Sequence, residues 1–151
     1  MFKRVLNIIL RNIILMLIFG CIYTNIELVM RNYTDIRMLF VGGLCGLCIG
    51  LINEFKPKMP LYLQSIISTI IVLIIEFVSG YYFNIIQGLN IWDYSDKPFN
   101  IMGQICLPYA FLWFLLSIVC IYVDDFLRHQ FFNKEEPEKF IDYLKRLLSG
   151  K

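Results

Sequence analysis

Two carboxylates occupy positions where chemistry is expected. Glu76 lies deep inside a long apolar run, and Asp93 follows in a short polar connection. Carboxylates in apolar surroundings are costly in a membrane and mark paths for solutes, ions or protons. Glu27 and Arg37 add charges at the ends of neighbouring apolar runs, and Asn100 adds an amide to the connection. We predict that these five side chains form one charge network.

The connection itself, IWDYSDKPFNIMGQICLP at residues 91–108, concentrates polar and aromatic side chains between two segments almost free of charge. Three interpretations stay open. In the first, the connection is purely structural. Asp93 or Ser95 caps a turn, while Trp92 and Tyr94 join an aromatic belt at the membrane interface.

The second interpretation is a binding site, in which the connection dips into the helices and brings Asp93 and Asn100 to the charges there. Irregular backbone at membrane depth is tolerated where it lines a cavity or is buried in protein. The third is an intramembrane enzyme that uses Glu76 and Asp93 as acid and base, as paired carboxylates do when their pKa values are pushed apart. The sequence shows no nucleophile elbow, metal set or nearby histidine for such chemistry.

Glu76 also has a structural alternative, a packing role in which its carboxyl is hydrogen-bonded to Ser79 or to Tyr109. Interhelical hydrogen bonds of this kind average about 0.6 kcal/mol. That gain is too small to explain a carboxylate by stability alone, and it favours a functional role.

Composition places these residues in a membrane protein. Of the 151 residues, 58% are hydrophobic, against about 45–50% in soluble domains, and the mean hydropathy is +0.65. The net charge of +2 is too small to suggest nucleic-acid binding, and no basic arm interleaved with aromatic residues is present, so we predict no nucleic-acid partner. The CGLC cysteine pair has no second pair or histidine near it, so we predict no metal and no cofactor.

Four apolar runs position the charges. They cover residues 5–30, 38–52, 61–83 and 105–123. The first continues its helical pattern past Cys21, which favours an uncleaved helix over a signal peptide. The second covers only about 22 Å at 1.5 Å per residue, which is short for a roughly 30 Å hydrocarbon core. It either extends by snorkelling or is partly re-entrant.

Small residues predict where helices pack. Gly42, Gly46 and Gly50 recur every four residues in the second run, and Gly80 ends the polar face of the third run that carries Glu76. Faces of this kind allow two helix backbones to approach closely in a membrane.

The tail after residue 130 predicts a separate element. Its apolar residues at 140, 141, 144, 147 and 148 follow helical spacing, which indicates an amphipathic helix too short and too charged to span. It is expected to lie on the membrane surface or on the protein. We therefore divide the chain into a four-helix transmembrane domain, 1–130, and an amphipathic cytoplasmic tail, 131–151.

The basic residues predict the orientation. With four spans, eight of them fall on one side: Lys3, Arg4, Arg11, Lys56, Lys58, Arg128, Lys134 and Lys139. Arg31, Arg37 and Lys97 fall on the other side. Because basic residues are enriched in cytoplasmic loops, both termini are predicted to be cytoplasmic, with the 91–108 connection facing outward from the cell membrane.

Two segments carry a family resemblance. EFVSG at 76–80 and WDYSDKPFNIMGQICLP at 92–108 resemble the bacterial ABC-transporter permease family of type IV. Glu27 matches an acidic residue late in that family's first helix. RMLFVGG keeps the family's Arg37 and Gly42 but has Met38 and Gly43 where the family has glycine and proline, and Gln104 replaces an arginine.

The resemblance implies a transport role with a separate ATPase, because the chain contains no Walker A sequence, G-x-x-x-x-G-K-[ST]. Four helices are few for a permease, so a homo-oligomer in the lipid bilayer is also implied. The sequence thus predicts an all-α membrane protein that forms the membrane component of a transport system. A non-transporting scaffold or regulator is the alternative, and an intramembrane enzyme is the third candidate.

Overall fold

Long apolar runs cover most of the chain, and these runs fold into helices. The computed structural model describes residues 2–55 and 59–149. The helices are α1 (Phe2–Arg31), α2 (Ile36–Phe55), α3 (Leu61–Gly80), α4 (Leu107–Phe132) and α5 (Phe140–Ser149). A π-helical turn, Tyr81–Ile86, continues α3. Within the described residues the extended structure is limited to an isolated bridge between Ile101 and Ile105.

Three of these helical segments are long and apolar enough to cross a membrane: Val5–Arg31, Leu61–Ile86 and Leu107–Phe132. The apolar part of α2, Ile36–Ile52, is shorter. The prediction that the chain is all-helical, with apolar helices long enough to cross a membrane, is confirmed for the described residues. The four-span topology stays a prediction, as does the orientation of the termini.

Local chemistry sets the helix ends. Pro60 precedes α3, and Pro108 lies in the first turn of α4, where a missing N–H costs no intrahelical bond. Asn32 and Asn133 follow α1 and α4 with φ of 54°, and asparagine tolerates this left-handed conformation. The basic residues Lys56 and Lys58 lie outside the described residues.

The contact between α1 and α2 depends on glycine. A Cβ added to Gly20 would lie 2.2 Å from the Leu39 carbonyl oxygen, and one added to Gly43 would lie 2.3 Å from the Met16 carbonyl oxygen. The two backbones therefore touch directly and run antiparallel.

The glycines singled out in the sequence all lie at close contacts within this chain. Gly42 faces Tyr23 of α1, Gly46 faces Phe19, and Gly50 faces the Asp124 carboxylate of α4. Gly80 faces two residues of the 91–108 connection, Trp92 and Gln104.

The amphipathic tail helix lies against the bundle. Tyr143 of α5 is 2% exposed and belongs to the core that α2, α3 and α4 share. Its hydroxyl donates to the Ile118 carbonyl of α4 at 2.6 Å, and its ring packs against Tyr122. Ile141 and Leu148 remain exposed.

The start of α1 and the ends of α2 and α4 lie at the same end of the bundle. The Arg11 guanidinium lies 5.0 Å from the centroid of the Phe132 ring. Lys134, just after α4, forms an ion pair with Glu54 of α2. We call this end, where α5 also packs, the terminal end.

Replacing Gly43 with alanine is expected to destabilise the protein by about 1–3 kcal/mol, the usual cost of overpacking. The new methyl group meets the Met16 backbone oxygen, which cannot rotate away. The measurement is thermal unfolding in detergent, followed by circular dichroism. Leu44→Ala is the control, because Leu44 neighbours Gly43 but its side chain is exposed. A Leu44→Ala variant that melts at or below the temperature of Gly43→Ala would contradict the expected ranking.

Candidate functional site

The Glu76 carboxylate is buried near the end of α3, with 3% of the residue exposed. Its Oε2 accepts a hydrogen bond from the indole Nε1 of Trp113 in α4 at 3.0 Å. Its Oε1 accepts one from the Tyr94 hydroxyl of the connection at 3.3 Å. Both donors are neutral, and among the described residues no basic side chain forms an ion pair with Glu76.

The Glu27 carboxylate is buried near the end of α1 and has a cationic partner. Its Oε1 accepts from Arg31 Nη2 at 2.8 Å and from the Tyr23 hydroxyl at 3.1 Å. Its Oε2 accepts from the Thr34 hydroxyl at 2.5 Å. Arg31 also donates to the Ile91 carbonyl at 3.2 Å, so this ion pair joins α1 to the connection.

Both carboxylates line one cavity of about 380 Å³, at the end of the bundle opposite the terminal end. We call it the carboxylate cavity. Its lining consists of Tyr23, Ile26, Glu27, Met30, Arg31, Glu76, Tyr94, Tyr109, Leu112, Trp113 and Leu116. It therefore combines two acidic groups, one guanidinium, four aromatic rings and apolar side chains.

The aromatic rings of the cavity form two stacked pairs. Tyr23 stacks on Trp113 with ring centroids 5.5 Å apart, and Tyr94 stacks on Tyr109 at 4.4 Å. Tyr23 donates to Glu27, whereas Tyr94 and Trp113 donate to Glu76. The rings and the carboxylates thus hold one another in place.

Asn84 holds the connection, which contributes Tyr94 to the cavity lining. It lies in the π-helical turn and is buried. Its Nδ2 donates to the Trp92 carbonyl at 2.9 Å and to Gln104 Oε1 at 2.8 Å, while its Oδ1 accepts from the Ile91 N–H at 2.7 Å. The Trp92 indole in turn donates to the Gln104 carbonyl at 3.0 Å. One amide therefore satisfies three groups of the connection, and π-turns of this kind often occur at functional sites.

The outer part of the connection is a tight polar turn. Asp93 accepts from the backbone N–H and the hydroxyl of Ser95, at 2.8 and 2.5 Å. These bonds lower the pKa of Asp93, which stays ionised at neutral pH. Asn100 donates to the Lys97 carbonyl at 2.9 Å and accepts from the Gly103 N–H at 3.1 Å. Gly103 has φ of 70°, and a Cβ there would lie 2.5 Å from Ser95 Oγ.

The structure brings together only some of the residues that the sequence analysis grouped. Glu27, Glu76 and Tyr94 line the carboxylate cavity. Asp93 is exposed, and like Asn100 it makes its hydrogen bonds within the turn. Trp92, which belongs to the connection, is buried against Gly80 of α3.

Arg37 lies apart from the cavity lining. It pairs with Asp35 at 3.0 Å and its guanidinium lies 5.8 Å from the Phe83 ring centroid. The positive charge of the cavity comes from Arg31 instead, because residues 27 and 31 are one helical turn apart on the same face of α1. Arg37 lies in the first turn of α2, next to its partner Asp35.

Sequence reasoning did not assign four residues to this region: Arg31, Asn84, Gln104 and Trp113. It named Tyr109 as a possible hydrogen-bond partner of Glu76, whereas the observed donors to that carboxylate are Tyr94 and Trp113. The Glu27–Arg31 spacing of four residues was a readable signal. Tyr109 and Trp113 share the same spacing on α4, but aromatic residues at helical spacing in an apolar run usually indicate core. Asn84 and Gln104 meet across 20 residues of chain, and no local pattern indicates such a contact.

A second acidic group lies at the terminal end. Carboxylate oxygens of Glu54, Asp124 and Asp125 lie within 4.8 Å of one another. Arg128 bonds Asp124 at 2.7 Å, and Lys134 pairs with Glu54. These two basic side chains offset two of the three acidic charges and already occupy carboxylate oxygens of Asp124 and Glu54, so we assign no metal to the group.

Comparison with known proteins gives one family. The model of the family described as "Putative ABC-transporter type IV" matches residues 3–148, which include the carboxylate cavity and the connection. No solved structure matches the chain.

Replacing Asn84 with leucine is expected to loosen the connection. The change leaves the Ile91 N–H, the Trp92 carbonyl and the Gln104 amide without their partner, and each buried unsatisfied group costs about 1–3 kcal/mol. Hydrogen–deuterium exchange should accelerate across residues 91–106 while α1 stays protected. Gln87→Leu is the matched control, since Gln87 is an exposed amide three residues further on. Equal exchange in both variants would show that Asn84 does not hold the connection.

Proposed function

Because the chain belongs to the "Putative ABC-transporter type IV" family, as its connection motif predicts, we propose that it is the permease-like membrane subunit of a transport system powered by a separate ATPase. The family match and the apolar helices make it a multi-pass membrane protein with a transport-related role. The proposal adds to this the roles of individual residues and the identity of the partner.

The observation that carries the proposal is the carboxylate cavity. Two acidic side chains from different helices, Glu27 and Glu76, line a cavity of about 380 Å³ whose lining also includes apolar and aromatic side chains. An acidic residue at the centre of a membrane helix costs about 2.5–3.5 kcal/mol on insertion scales. Hydrogen bonds return only part of that cost. We assign the remainder to function, with the cavity as the solute site.

In the proposed topology the shorter helix α2 also spans the membrane, in addition to the three longer segments, which makes four spans. Both termini lie on the cytoplasmic side of the cell membrane. The antiparallel contact of α1 and α2 supports it, because the two helices lie side by side over much of their length. Basic residues at the terminal end include Arg11, Arg128 and Lys134. The carboxylate cavity and the connection then lie towards the outside.

A separate ATPase would bind at the terminal end, since ATP is cytoplasmic and this chain carries no Walker A sequence. A homo-oligomer is part of the proposal, because one small bundle offers few helices to enclose a pathway. Asp93 and Asn100 contribute by shaping the turn outside the cavity.

The partner is tested by purifying the tagged chain from native membranes in mild detergent. We expect an ATPase to co-purify in stoichiometric amount, identified by mass spectrometry. Purification of the chain alone, as a defined oligomer, would refute the ATPase-linked role and favour the scaffold or regulator.

The role of Glu76 is tested by Glu76→Gln, which keeps the side-chain shape and removes the charge. We expect this variant to insert and to retain its partner, yet to fail to rescue the phenotype of a deletion strain. Asp96→Asn is the control, because Asp96 is exposed and bonds only to the neighbouring Lys97 among the interactions observed. Full rescue by Glu76→Gln would remove the cavity from the mechanism.

A further inference from the structure

We propose that the carboxylate cavity selects organic cations, small molecules that join an ammonium group to an apolar portion. The inference rests on the proposed function, in which this cavity is the solute site. It names the chemical class of the solute from the charge, the aromatic lining and the volume of the cavity.

The charge of the lining favours a cation. Two carboxylates face one guanidinium, and Arg31 is already committed to Glu27. Glu76 keeps its position through two neutral donors, Tyr94 and Trp113. A buried carboxylate without a charged partner is stabilised when an opposite charge comes close. A cationic solute supplies that charge, whereas an anion would meet repulsion.

The aromatic lining favours an ammonium group over a metal ion. Tyr23, Tyr94, Tyr109 and Trp113 all line the cavity. Aromatic rings attract ammonium ions, most strongly where water is excluded, and aromatic cages are typical sites for methylated ammonium groups. Hard metal ions require six or more oxygen ligands in close geometry, and the cavity offers mainly rings and alkyl groups.

The volume and the remaining walls favour an organic molecule. About 380 Å³ falls at the lower end of the range of small-molecule sites, roughly 300–1,000 Å³. Ile26, Leu112 and Leu116 add apolar surface to the lining. A bare inorganic ion would leave most of this surface without a partner.

The experiment measures binding to the purified full-length chain in nanodiscs by isothermal titration calorimetry. The probes are choline, tetramethylammonium and propylammonium. The matched neutral probe is 3,3-dimethylbutan-1-ol, which has the shape of choline without its charge, and potassium chloride tests inorganic cations. We expect at least one ammonium probe to bind, and the neutral alcohol and potassium to bind at least about 10-fold more weakly.

Variants locate the binding. Glu76→Gln should weaken it by about 30-fold or more, the usual cost of removing one member of a buried charge pair. Tyr109→Leu should weaken it by roughly 10-fold through loss of a ring. Asp96→Asn and Tyr62→Leu serve as controls, since both residues are exposed and lie outside the cavity lining.

A lipid headgroup offers the same ammonium chemistry as a free amine. The titration is therefore repeated in phosphatidylglycerol nanodiscs with and without phosphatidylethanolamine. Weaker choline binding in the presence of phosphatidylethanolamine supports a lipid amine as the occupant. Unchanged binding supports a soluble amine.

Three results would overturn the proposal: equal binding of the neutral alcohol, equal binding of potassium, or no binding of any ammonium probe to the wild-type chain. These results are separate from the test of the proposed function, because co-purification of an ATPase requires no solute. An ATPase that co-purifies with a chain that ignores every ammonium probe would leave the transport role intact and refute only the solute class.

Discussion

The arrangement of the helices around the cavity depends on one constraint, the need of the buried Glu76 carboxylate for hydrogen-bond donors. In an apolar interior an unsatisfied carboxylate costs several kcal/mol. Its two donors come from two other elements, Trp113 from α4 and Tyr94 from the connection. Satisfying this one group therefore sets the distance of α4 from α3 and brings the connection down onto both.

The connection can meet this demand because it has internal structure of its own. Asn84 joins its beginning, at Ile91 and Trp92, to its end at Gln104. Gly80 leaves room for the Trp92 ring against α3. Tyr94 is thus presented by a packed segment, which explains why so many polar and aromatic residues are concentrated there. The segment has both a structural and a lining part, since Asp93 and Asn100 make their hydrogen bonds within the turn while Tyr94 lines the cavity.

The helices were largely predictable from the sequence, because long apolar runs and prolines are local signals. The predicted fourth run stopped at 123, before two aspartates, whereas α4 continues to Phe132. Asp124 is accommodated by Arg128, one turn later, so the helix continues past the acidic pair. The tail helix was predictable from its spacing, but its contact surface was not, because the burial of Tyr143 depends on the other helices.

The candidate site was predictable in part, for a related reason. Charges inside apolar runs identify Glu27 and Glu76 without any structure. Which basic residue pairs with them depends on geometry. Arg31 lies one helical turn from Glu27 and pairs with it, whereas Arg37 pairs with Asp35. The aromatic partners depend on contacts between distant segments, such as Trp113 with Glu76 across 37 residues. Sequence thus identifies groups that are costly to bury, and the fold determines which groups offset that cost.

The glycine face of α2 also shows what the sequence indicates and what the fold adds. The glycines predict close packing, and the structure shows which groups they pack against. Gly42 lies against Tyr23, a ring of the carboxylate cavity, and Gly50 lies against Asp124 at the terminal end. Because a helix is stiff and rises about 1.5 Å per residue, a displacement of α2 along its axis reaches both groups at once. Side chains at positions 42 and 50 would push α2 away from Tyr23 and from Asp124. The absence of side chains therefore lets one helix contact both Tyr23, a ring of the cavity, and Asp124 at the terminal end.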